Sequence, residues 1–395
     1  MLTIIPLLTF TISYCFNRPT FIGYIYAFKH TLIEDDMAKV SFNNKEQAFF
    51  KTVKKSVDEY FSNNDIKKTG NNKLYAKAAI LLPLAVLLYV FLLAGSYNIF
   101  AGIALSIILG LTLVSIAFNV MHDACHGSFS GRKWVNETMS LTMNALGSNA
   151  FIWKIKHNII HHTYTNVDGI DDDIIKSPLL RHTPTQKWKP AHRYQFIYMF
   201  LLYSLSTILW VYLTDMLKYF SRKIVATEMK ISPKEHIIFW VSKVLYVFFY
   251  IVLPIACVGW GAWIVGYFLV NIAMGFTLSV VFQLAHVVEK TSFENAGETP
   301  KTIDQEWAVH EVMTTSNFAE KNKIISWFAG GLNFQVEHHL FPRISHVHYP
   351  AISKIVKEKC NSFNIPYHSY KTMAAALASH IRLMKQLGNK QFAVK

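Results

Sequence analysis

Apolar and polar positions divide this chain into long uncharged runs and basic connections between them. From Lys45 to Phe61, apolar residues recur at helical spacing (Phe49, Phe50, Val53, Val57, Phe61) with charges between them, which predicts an amphipathic helix. Ala78 to Gly95 carries no charge and ends in the turn signal Gly95-Ser96-Tyr97-Asn98. Ile99 to Val120 is also uncharged and runs straight into His122. Both runs approach the ~20 residues that a membrane-spanning helix needs. Three more apolar runs follow: Tyr194 to Tyr212, Ile237 to Val258 and Trp263 to Ala285. Met139 to Trp153 is only weakly apolar and predicts a helix lying in the membrane interface. From Val287 onward the chain is polar with a helical pattern, ending in a helix rich in Ala, Leu and Met over Thr372 to Leu387.

The first 36 residues fit this pattern poorly. Met1 to Phe16 is apolar but short and lacks a charged leading region, so it makes a poor signal peptide. The texture changes at Met37. Residues 1–36 therefore read as an upstream extension before a start at Met37, or as a peripheral membrane-anchoring segment. The expected organisation is a cytosolic N-terminal segment over 37–77 and a membrane domain over 78–395.

Charge orients the spans. The 395 residues carry a formal net charge of +14. Without a basic helix or a stacking motif beside it, that charge does not point to nucleic acid. In a membrane chain it fits the bias of cytoplasmic segments towards Lys and Arg, with affinity for anionic headgroups or carrier phosphates as a secondary reading. The run 194–212 is the most polar of the five, with Tyr198, Tyr203, Ser204, Ser206 and Thr207 inside it, and is expected to be interfacial. Four spans remain, at about 78–95, 99–120, 237–258 and 263–285. Uncharged turns join each pair, the second being Gly259-Trp260-Gly261-Ala262. Every lysine and arginine outside the spans then falls on one side, together with both termini. The expected fold is an all-α integral membrane protein: four transmembrane helices, interfacial helices and a cytosolic histidine-rich cap.

Seventeen histidines raise the question of chemistry. Seven lie in three clusters: His122 and His126; His157, His161 and His162; His338 and His339. Residues four apart on a helix share a face, so His122 pairs with His126 and His157 with His161, while His162 is rotated by about 100° towards a neighbouring site. All three clusters fall on the cytosolic side, and ionisable groups so close to a bilayer tend to be functional. A single structural zinc takes four ligands, fewer than these seven. The four cysteines form no C-x-x-C pair, which argues against a disulfide framework, a zinc knuckle or an iron–sulfur cluster. Neutral imidazole suits iron, zinc, copper and nickel alike. Two adjacent metals with open positions suit dioxygen chemistry.

The boxes His122-Asp-Ala-Cys-His126, His157-Asn-Ile-Ile-His161-His162 and Gln335-Val-Glu-His338-His339 resemble those of the membrane fatty acid desaturases. The opening Gln335 resembles the front-end branch, which desaturates between an existing double bond and the carboxyl end. The resemblance covers the chain from about Met37 to its C-terminus. It implies two irons, dioxygen as co-substrate, and removal of two hydrogens from adjacent methylenes of a fatty acyl-CoA or acyl-lipid to leave a cis double bond and water. It adds His286 and Gln335 to the expected metal-binding residues, and places Trp307, Thr314 and Asn317 in a substrate-facing region. Asp123, Glu337 and the run Asp168 to Asp173, including Asp171 and Asp172, are expected to accept the free N–H of ligand imidazoles. The run 171–173 can also be read as a solvated loop. His346 and His348, beyond Pro342, read as surface histidines.

No His-Pro-Gly-Gly motif of a fused cytochrome b5 and no G-x-G-x-x-G fingerprint occurs. The resemblance therefore implies a separate electron donor, cytochrome b5 or ferredoxin with its reductase. Two other readings remain open from the sequence. One is a membrane hydroxylase of a lipid or hydrocarbon on the same site. The other is a metal transporter, disfavoured because its ligands would lie near mid-membrane in broken helices.

Overall fold

The computed structural model describes residues 40–174, 178–225, 227–297 and 301–392. The extension expected over 1–36 lies outside the described residues. Regular structure is overwhelmingly helical, and the strands are ladders of two or three residues. Among the described residues, three helices are long and apolar enough to cross a membrane: Asn72–Ala94, Ile99–Cys125 and Pro233–His286. A fourth candidate is a broken pair, Pro190–Ser204 and Ser206–Ser221, bent by 63°.

Side chains at the boundaries explain the ends of the first two helices. Asn71 and Asn98 each accept a backbone N–H of the following helix, from Lys73 and Ala101 respectively. Gly95 ends the first helix in the left-handed region at φ 67°. The long third element is interrupted at Gly259, whose φ of 78° and ψ of 164° are non-helical. That break falls in the uncharged linker expected between two spans, so the element reads as two apolar helices over 233–258 and 260–286.

One sequence expectation needs correction. Over Met139 to Trp153 there is no single interfacial helix but three short ones: Lys133–Ser140, Thr142–Ala145 and Ala150–Lys154. Gly147 turns the chain at φ 92° beneath the Tyr246 ring, and Asn149 caps the next helix by accepting from Ile152 N at 3.0 Å. The run 194–212 is a helix broken at Leu205 and seated on the last apolar helix. Ser206 donates to the Gly275 carbonyl at 3.2 Å and Thr207 to that of Asn271 at 3.2 Å.

The amphipathic helix forms at Ala48–Asn63 and buries Phe49, Val53, Val57 and Phe61 as its spacing predicts. Its partners include Val312, Val336, Ile352 and Val356, all far along the chain. Burying each such side chain contributes about 1.5–3 kcal/mol. Val40–Phe42 also pairs in parallel with Lys301–Ile303. Residues 40–63 are thus built against the C-terminal part of the chain. The last helix, Met373–Leu387, begins after Thr372, whose hydroxyl accepts from Ala375 N at 3.1 Å.

Candidate metal centre

Local winding aims the histidines. The second apolar helix widens into a π-helical turn at Ala117–Met121 before the short helix His122–Cys125. Asn119 holds this turn: its amide donates to the carbonyls of Ser115 and Phe328, and its oxygen accepts from Lys77 Nζ at 2.8 Å. His122 and His126 then share a face, with ring centroids 4.7 Å apart.

The second box is itself π-helical over Ile155–His161. His162 N donates to the His157 carbonyl at 3.1 Å, five residues back. This changes the grouping that an α-helix predicts. His162 Nε2 comes to 3.3 Å from His157 Nε2. His161 turns towards His286 and His339, at 4.8 and 5.0 Å between centroids, although its ring still lies 5.2 Å from that of His157. Wide turns of this kind recur at functional sites. Trp153 stacks on His157 at 4.2 Å.

The third box opens the short helix Gln335–Leu340, where the consecutive rings of His338 and His339 diverge by 81°. All seven box histidines and His286 therefore meet. The ligand nitrogens of His122, His126, His157 and His338 lie within 4.8 Å of one another, as do those of His161, His286 and His339. His162 forms a set with His338 and His339 and so joins the two groups. His157, His161 and Asp173 make a further set.

These nitrogens fit metal ions. Every ring is buried. Burial first, and neighbouring imidazoles second, hold His157, His162, His338 and His339 well below the usual histidine range, in the neutral ligating form. The Nε2 atoms of His126, His161, His286, His338 and His339 have no hydrogen-bond partner. Four of these rings are held from behind through Nδ1. His161 meets Asp171 at 3.0 Å, His338 the Tyr349 hydroxyl at 3.1 Å, His339 Glu311 at 2.7 Å and His286 the Thr314 carbonyl at 3.4 Å. A ring held at one nitrogen and bare at the other is the arrangement of a metal-ligating histidine.

The predicted carboxylates divide. Asp171 supports His161 as expected, and Asp173 lies 3.8 Å from the same nitrogen. Asp123 is 3.9 Å from His122 Nδ1, beyond hydrogen-bond range. Instead it accepts from Ser345 Oγ at 2.6 Å and His346 N at 3.2 Å, tying the first box to the chain after the third. Asp172 pairs with Lys218. Glu337 meets Asn317 at 2.8 Å and Tyr367 at 2.9 Å, and no ligand imidazole. Glu311, Thr165 and Tyr349 escaped the sequence reading. The one available signal for Glu311 was a lone carboxylate beside His310 on the short, apolar-faced helix Trp307–Met313.

Other candidates move as well. His346 and His348 are buried, not on the surface. His346 bridges Lys77 and Asp123 at 3.1 Å each, and His348 lies 3.1 Å from the Thr69 carbonyl. Trp307, Thr314 and Asn317 frame the site without lining its cavity. Trp307 donates to the His162 carbonyl at 3.1 Å, the Thr314 carbonyl faces His286, and Asn317 accepts from Val336 N at 2.9 Å. Gln335 is buried and donates to the Leu332 carbonyl at 2.9 Å.

A cavity of about 320 Å³ runs from His122, His157 and His338 between the apolar helices. Val114, Ala117, Met274 and Leu278 line it from the apolar helices, and Leu209 and Val211 from the broken helix. Gln335 and the ion-paired Lys156 and Asp173 also face it.

Comparison with known proteins agrees with this geometry. A family profile described as "Fatty acid desaturase" matches residues 97–371. A protein named sn-1 linoleoyl-lipid 6-desaturase from Arthrospira platensis is 34% identical, covering 89% of this chain and 95% of the relative. Its namesake from Synechocystis sp. is 32% identical over 89% of this chain and 98% of its own length. An acyl-lipid (8-3)-desaturase from Physcomitrium patens is 32% identical over 88% of this chain and 73% of its own. The matches run through all three histidine clusters, and the chain belongs to the fatty acid desaturase family, whose members are oxidoreductases.

Proposed function

We propose that this enzyme introduces a cis double bond into a long-chain acyl lipid, on the carboxyl side of an existing double bond, at a centre of two irons. One observation carries the reading: two adjacent groups of buried imidazole nitrogens border an apolar cavity. His122, His126, His157 and His338 would hold one ion, His161, His286 and His339 the other, with His162 between them. When bound, the two irons supply dioxygen activation with electrons from a separate cytochrome b5 or ferredoxin and its reductase. Eight nitrogen donors without thiolate suit such an oxidising site. The chain's own residues do the rest. Asp171, Glu311 and Tyr349 fix the rings, the apolar wall excludes water, and the channel sets which methylenes reach the centre.

The acyl-lipid substrate is carried over from the relatives, two of which are named for a linoleoyl lipid. The proposed topology has four spans embedded in membrane lipid, with both termini and the imidazole cluster on the cytoplasmic side.

The direct test is a fatty acid profile. The full chain is expressed in a host that supplies cytochrome b5, fed oleic and linoleic acids, and the methyl esters are read by mass spectrometry. A new polyunsaturated acid, lost in His161→Ala, is expected. A hydroxylated product, or none from iron-loaded protein supplied with several donors, would overturn the reading.

A further inference from the structure

The channel wall is not wholly apolar. Ser206, Thr207, Ser279 and Gln283 face it. Three of them are satisfied within the protein. The Ser279 hydroxyl meets that of Ser206 at 3.0 Å, Ser206 donates to the Gly275 carbonyl, and Thr207 donates to that of Asn271. Gln283 differs. It is only 6% exposed, and its Oε1 has no hydrogen-bond partner. A buried polar atom left unpaired is unfavourable, and in a native fold it calls for a reason. The carboxamide carries two N–H donors, and a half-turn about its last torsion offers either end to the channel.

We propose that Gln283 selects acyl chains that already contain a cis double bond, by donating an amide N–H to the π electrons of that bond. The inference rests on the acyl-desaturase reading above and names the group that the channel recognises. Position supports it. Gln283 lies three residues before His286 on the same helix, a rise of about 4.5 Å. That is roughly three carbon–carbon bonds of about 1.5 Å. The cavity continues past Gln283 to Leu278 and Met274, away from the imidazoles, so this is where the methyl-side part of the chain lies. A double bond held there sits a few carbons beyond the methylenes at the centre. A saturated chain puts methylene against the amide and leaves it dry and unpaired. Sites built around a polar contact reject the analogue that lacks the partner. Contacts from N–H to π electrons are individually weak, so the selection is modest, about fivefold.

The test is a competition in membranes that contain the full chain and its electron donors. Stearoyl, oleoyl and linoleoyl chains are supplied together, and conversion ratios are read by mass spectrometry of the methyl esters. Wild type is expected to favour the unsaturated chains, and Gln283→Met and Gln283→Leu to lose about fivefold of that ratio. For a variant without turnover, protection of the purified protein against thermal unfolding by linoleoyl and stearoyl lipids is compared without reductant. The wild-type difference is expected to vanish. An unchanged ratio, or an unchanged difference in protection, overturns the inference while leaving the desaturase reading intact. Absence of any desaturation by wild type overturns both.

Discussion

Glu311 Oε2 lies 2.7 Å from Nδ1 of His339, and both side chains are fully buried. The same oxygen accepts from Thr165 Oγ1 at 2.8 Å. His339 is thereby held with its Nε2 facing the other imidazoles. Partners of this kind raise metal affinity by about 10- to 100-fold. Glu311→Ala is expected to lower iron affinity by that order, and Glu311→Gln, which keeps an acceptor oxygen, by less. Metal retained after dialysis against graded chelator measures both.

Gly330 seats the loop before the third box against the first. Its φ is 56°, and a Cβ there would lie 2.4 Å from the Phe118 carbonyl oxygen. Gly330→Ala is expected to lower the unfolding temperature through about 1–3 kcal/mol of strain. At Gly131 an added Cβ finds its nearest neighbour at 4.0 Å. Gly131→Ala should leave thermal unfolding in detergent unchanged.

His380 gives a pH dependence that does not involve the clustered imidazoles themselves. It lies 2.6 Å from the Val287 carbonyl and 3.0 Å from the Tyr203 hydroxyl. Burial pushes its pKa down to about 4, opposed by the Val287 hydrogen bond. The folded state therefore binds fewer protons than the unfolded state. Its contribution is fully present above the unfolded value of about 6.5 and is lost as pH falls towards 4. Unfolding temperature measured across that window should decline, and His380→Gln should flatten the decline.

The channel sets chain length in this account. Met274 is the lining residue of the last apolar helix furthest from His286, about 18 Å along the axis. Met274→Trp should shift conversion towards shorter acyl chains in a mixed feed. An unchanged product profile would place the methyl end elsewhere.

The apolar helices and the three clusters were legible in the sequence because each depends on local periodicity and spacing. The amphipathic face of Phe49, Val53, Val57 and Phe61 was readable for the same reason. What was not legible depends on winding or on distant partners. A π-helical turn at Ile155–His161 leaves the residue spacing unchanged but regroups His157, His161 and His162. Glu311 reaches His339 across 28 positions of sequence and Asp123 reaches Ser345 across 222. No spacing rule links such pairs. His346 and His348 look like surface residues by composition alone, and the fold buries them against Lys77 and Thr69.

In the proposed centre, eight imidazoles hold two metals. Elemental analysis by inductively coupled plasma mass spectrometry, on protein purified from iron-replete cells, counts them directly. About two irons per chain are predicted, falling to about one in His286→Ala. A single metal per chain in fully loaded wild-type protein would contradict the account.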